Sequence, residues 1–175
     1  AQILDLLAEG LMVTIDHVGD VDPVAGGTHG RHRSGGVPLW RSYQDTARQL
    51  AEAGLTGDRD RVDLAVRLPA LAADPAPDGP EGTPLAEQVR GICETAREAG
   101  VTVTLQGIGH TEVLPMLALT GELQEEFPWL GVTVRAHLHR SEADCAALAA
   151  RRARVRLSMG MAMAPDTVAY ASHLE

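Results

Sequence analysis

Apolar positions along this 175-residue chain recur with two different spacings. Short β-branched runs alternate with segments whose apolar residues fall three and four apart, the signatures of strand and helix. The strand-like runs are Leu11–His17 (LMVTIDH), Val62–Leu68 (VDLAVRL), Val101–Gln106 (VTVTLQ), Val132–Arg140 (VTVRAHLHR) and Arg154–Met159 (RVRLSM). The helical patterns are Ile3–Leu7, broken at Gly10; Trp40–Ala53, stopped by Gly54; Leu85–Ala99, ending in Gly100; Glu112–Phe127; and Ser141–Ala150. Ser141 is placed to cap the last helix, with acids in its first turn. Asp22–Leu39 and Asp74–Pro84, rich in Gly and Pro, read as connections, as does Pro69 before the second of them. Five strands alternating with helices predict a parallel α/β architecture, either a doubly wound sheet or part of a (β/α)8 barrel.

The fourth run carries the most chemistry. Side chains two apart on a strand share a face, so an unbroken strand places Arg135, His137 and His139 together. Burying a guanidinium and two imidazoles needs partners or a function; a half-exposed strand with solvated polar groups is the plain alternative. Polar residues also gather at the other strand ends: Asp16 and His17, Arg67, Gln106 with His110 just beyond, Arg156 and Ser158. In barrels and open sheets alike, the carboxyl ends of the strands hold the site. Asp16 and His17 are adjacent, so on an ideal strand only one of them faces it.

Composition narrows the chemistry. The net charge of −9 argues against nucleic-acid binding. The absence of lysine removes Schiff-base catalysis and makes every cationic side chain other than histidine an arginine. Cys93 and Cys145 lack CxxC spacing and read as small buried hydrophobes in a reducing, cytoplasmic setting. No run has membrane-spanning length. The length suits one domain, residues 1–175. His110, His137 and His139 form a conceivable metal set, but no carboxylate completes it and Arg135 adds positive charge; no metal is expected. His29, Arg31, His32 and Arg33 read as a flexible basic loop with some capacity for anions. Gly107-Ile108-Gly109 is too short for a dinucleotide fingerprint.

Taken in order, VTIDHVGD, VDLAVRLPAL, ICETAREAGVTVTL, FPWLGVTVRAHLHRSEADC and RVRLSMG resemble the proline dehydrogenase family, particularly its actinobacterial-looking members. The resemblance implies a distorted (β/α)8 barrel that binds FAD and oxidises proline by hydride transfer. Asp16, His17, Arg156, Gly160 and the helix start at Glu142–Cys145 follow its pattern. The chemical positions depart from it. Arg67 stands where the family has an active-site lysine, and Gln106 where an aspartate faces proline. Arg135 replaces a glutamine that touches the flavin, and Met159 replaces a lysine against the flavin. The family continues for three more strands and a last helix whose paired arginines clamp the proline carboxylate.

A complete barrel takes about 250 residues. The expectation is therefore a partial barrel of about five β/α units, its open edges covered by a partner or a second copy. Arg67, Arg135, Arg156 and Gln106 are expected to bind an anionic, amino-acid-like substrate. His137, His139 and His110 are the catalytic candidates, and Asp16, His17 and Ser158 are further ones. Together they suit a cofactor-independent, non-redox biosynthetic step: an elimination, or an intramolecular cyclisation expelling an anion. The alternatives are an FAD-dependent oxidoreductase and a non-catalytic subunit completing a partner's barrel.

Overall fold

The computed structural model describes residues 2–16, 38–54, 61–73, 83–107, 109–159 and 164–170. His17, Gly160, Met161, Met163 and the His29–Arg33 loop lie outside the described residues. The strand order is β1-β2-β3-β4-β5, each strand beside its neighbour in sequence. The pairs β1–β2, β3–β4 and β4–β5 are parallel. The fold class is thus the expected one: α/β, with strands ordered as successive strands of a β/α barrel. The chain divides into two compact units, residues 1–103 and 104–175, with the boundary inside β3.

The first unit holds α1 (Gln2–Ala8), β1 (Val13–Asp16), α2 (Leu39–Glu52), β2 (Val62–Arg67), α3 (Leu68–Ala73), α4 (Leu85–Ala99) and the start of β3 (Thr102–Gln106). Its core joins Tyr43, Ala47 and Leu50 of α2 to Val89, Ile92, Cys93 and Ala96 of α4, with Val62, Leu64 and Val66 of β2. Cys93 is fully buried, as a small hydrophobe should be. Gly100 ends α4 in the left-handed region at φ 68°, where its N–H reaches back to Ala96 and Arg97. The short α3 was not expected. Pro69 sits in its first turn, where no intrahelical N–H is needed, and Leu71 is buried beneath it.

The second unit holds the rest of β3, a 3-10 turn (His110–Glu112), α5 (Val113–Leu123), β4 (Gly131–Arg135), α6 (Ser141–Ala150) and β5 (Arg154–Ser158). Leu105, Val132, Val134, Met116, Leu123, Phe127, Leu130 and Leu148 form its core. β4 does not run to Arg140 as the alternation suggested. It ends at Arg135, and residues 136–140 turn away. Two bonds and a bridge set that turn: Ala136 N–H to Ser158 O (2.7 Å), the Ser141 hydroxyl to Arg135 O, and the antiparallel pairing of Leu138 with Ala169. Ser141 is accordingly the first helical residue of α6 rather than its cap.

Candidate functional site

The strand registers sort the sheet into two faces. In the first unit Asp16 pairs with Ala65, and Arg67 lies two residues on, so all three share a face. Asp63, on that face too, accepts from the Thr102 hydroxyl at 2.9 Å. In the second unit Thr104, Gly131 and Arg154 lie in one row, Thr133 and Arg156 in the next, and Arg135 and Ser158 in a third. Continuing the β3–β4 register by one residue sets Gln106 beside Thr133. The opposite face carries Leu105, Val132, Val134, Val155 and Leu157. One face is therefore apolar and packs helices, while the other is polar from row to row.

The first unit brings Asp16 and Arg67 together. The Arg67 guanidinium forks onto the carboxylate, Nε to Oδ1 at 3.1 Å and Nη2 to Oδ2 at 2.7 Å. That bond, more than any other influence, raises the Arg67 pKa further above its ordinary value. The fork that was expected to hold a substrate anion is thus given to Asp16. With side chains 27% and 34% exposed, the pair contributes at most about 1 kcal/mol to stability.

Tyr43, from α2, accepts the Arg67 N–H on its phenol oxygen at 3.3 Å. Burial pushes the Tyr43 pKa above its ordinary value. Above pH about 10 the unfolded chain releases this proton while the folded chain keeps it, so stability falls as pH rises through that range. Urea midpoints measured between pH 9 and 11 will decline for the wild type. They will decline less for Tyr43→Phe; equal slopes would contradict this account.

The second unit gathers Gln106, Arg135, Arg156 and Ser158 at the carboxyl ends of β3, β4 and β5. Arg135 donates to Gly107 O at 2.7 Å, which ties β4 to the loop after β3. Arg154 reaches across β4 to the Thr104 hydroxyl at 3.2 Å. Gly131 leaves room for that crossing: a Cβ there would lie 3.0 Å from Thr104 Oγ1 and 3.3 Å from Arg154 Nη1. Sequence reasoning missed Thr133, which read as an ordinary β-branched strand residue. It is 7% exposed, and its buried hydroxyl has no hydrogen-bond partner.

Arg135, His137 and His139 do not share a strand face as expected, because β4 ends at Arg135 and both histidines lie in the turn after it. His137 holds Met159 O at 2.8 Å through Nδ1. A carbonyl only accepts, so Nδ1 carries the hydrogen and the neutral ring offers Nε2 as its proton acceptor. His139 is exposed and packs edge-on against Tyr170, with centroids 4.5 Å apart. His110 opens the 3-10 turn, whose Glu112 accepts the Gly109 N–H at 3.0 Å. Among the described residues no three His, Cys, Asp or Glu side chains group as metal ligands. A groove of about 900 Å³ between α5 and α6 is lined by none of the candidate residues.

The resemblance to proline dehydrogenases implies FAD, and two described positions test the fit. Met159 offers a thioether, 82% exposed, where that resemblance calls for an ammonium donor. Arg135 spends a donor on Gly107 O. At Met159 the donor that the resemblance implies is missing, whereas Arg135 can still donate from its other N–H groups.

No protein-family model matches the chain, and neither does any curated protein. Among solved structures, proline utilization A (PutA) from Bdellovibrio bacteriovorus, inactivated by N-propargylglycine, is similar, with a TM-score of 0.67 and 19% sequence identity. The match covers 91% of this chain and 18% of that one, so the chain spans under a fifth of that protein's length. At this identity the likeness shows the fold alone: an α/β fold of the partial-barrel type.

Proposed function

We propose that the polar face of β3, β4 and β5 binds an anionic, amino-acid-like small molecule. On this reading the chain, alone or within a complex, catalyses a cofactor-independent, non-redox biosynthetic step. The observation that supports it is the grouping of Gln106, Arg156, Arg135 and Ser158 over two rows of one unit, in a chain whose net charge is −9. Guanidinium pairs with carboxylate, sulfate and phosphate through parallel N–H bonds. In the proposed step an amine or hydroxyl of the substrate attacks a carbon bearing the anionic group. The new C–N or C–O bond forms as the bond to the leaving group breaks with its electron pair. The arginines stabilise the departing anion, and His137 Nε2 receives the nucleophile's proton. Elimination is the related possibility, with the proton taken from carbon.

The first test is a comparison of thermal unfolding in sulfate and in chloride at equal ionic strength. A saturable rise specific to sulfate is expected, reaching about 2.7 kcal/mol at a hundredfold excess over Kd. FAD added to the protein should be lost on dialysis; retained flavin absorption would overturn the cofactor-independent reading.

The proposal includes a protein partner along β5. Val132 and Val134 are buried on β4, whereas their register partners Val155 and Leu157 are 38% and 63% exposed. Exposed strand edges with apolar side chains invite pairing. Sedimentation of the isolated chain should show self-association or aggregation that a co-expressed partner suppresses. A soluble monomer at all concentrations would contradict it. No described helix is long and apolar enough to cross a membrane.

A further inference from the structure

We infer that Thr133 forms the floor of this anion site, donating its hydroxyl hydrogen to an oxygen of the bound oxyanion. This rests on the reading above that the β3–β5 face binds an anion. Buried hydroxyls are nearly always hydrogen-bonded, and one left alone costs free energy in the unliganded protein. Thr133 stands out because its hydroxyl is buried without a partner while the neighbouring threonines on β3 are engaged: Thr102 with Val62 and Asp63, Thr104 with Arg154. Its position in the sheet says what the missing partner is. Arg156 flanks it by register on β5, and Arg135 follows two residues on along its own face. A donor between cationic side chains suits an acceptor that carries negative charge. Gln106 flanks Thr133 on the other side, one residue beyond the paired β3–β4 register. A bound oxygen then meets a neutral donor from the strand and charged donors from the arginines. Such a set favours carboxylate, sulfate or phosphate over halide, which has no oxygen geometry to match.

The two-signed consequence makes the test sharp. Thr133→Val keeps the shape and removes the hydroxyl. Without anion it should leave the urea midpoint unchanged or raised, since no native hydrogen bond is lost. In sulfate titrations followed by calorimetry it should weaken binding about tenfold, the value of one lost hydrogen bond. Thr133→Ser should bind within about twofold of the wild type. Parallel titrations with acetate, phosphate and sulfate identify which oxyanion class gains most from the hydroxyl. Equal sulfate affinity in wild type and Thr133→Val would overturn the inference, as would a lowered midpoint without anion, which would reveal a structural partner. If wild-type protein binds no oxyanion saturably, the anion-site reading itself fails. If it binds and only Thr133→Val is unaffected, that reading stands without Thr133.

Discussion

Replacing Arg135 and Arg156 together by methionine will abolish the sulfate-specific stabilisation while leaving a folded chain. Each guanidinium–oxyanion bond contributes about 1.5–3 kcal/mol, so each single substitution weakens binding about tenfold to a hundredfold. Methionine keeps much of the apolar stem that arginine lays along the sheet, which separates loss of charge from loss of packing. Arg135 also donates to Gly107 O, so its removal frees the loop after β3 and costs some stability besides. Near-ultraviolet circular dichroism without anion, followed by sulfate-dependent melting, separates the two contributions. Unchanged sulfate dependence in the double variant would remove this face from the account.

Phe127→Ala will be the most destabilising of the substitutions considered. Phe127 is fully buried below α5 and meets Trp129 edge-on, with ring centroids 5.7 Å apart. It is also the chain's single phenylalanine, so the second unit's core has few large side chains to collapse into the space. Truncating such a residue costs about 3–5 kcal/mol, against a total stability of about 5–15 kcal/mol. Denaturant unfolding will show a midpoint shift of that size; a loss under about 1 kcal/mol would mean the core relaxes around the cavity.

The strands were legible because apolar residues repeat with period two in each. The alternation leaves their order open between a doubly wound sheet and a barrel, and only the family resemblance implies it. Val62–Arg67 and Thr102–Gln106 fall within a residue of their expected ends. The end of β4 was not legible. Arg135, His137 and His139 continue the alternation, and the turn that breaks it depends on Ser158 and on residues 168–170, far along the chain. No local pattern encodes such a contact. For the same reason the histidines separate into different surroundings. Asp16 and Arg67 were each visible as polar strand ends, but their pairing follows from a register between β1 and β2. Thr133 was hidden by its residue type, since threonine is common filler on strands. Its only sequence signal is the Gly131-Thr133-Arg135 alternation, which sets it on the arginine face.

The claim that an oxyanion sits among Arg135, Arg156 and Thr133 is tested most directly by arginine side-chain NMR. The chain's fifteen basic residues are all arginines, so labelling guanidinium nitrogens surveys every cationic side chain other than histidine at once. On titration with sulfate at fixed ionic strength, the Nε–Hε signals of Arg135 and Arg156 should shift saturably with a shared Kd while exposed arginines barely move. Uniform, non-saturating shifts across all the arginines would contradict the account.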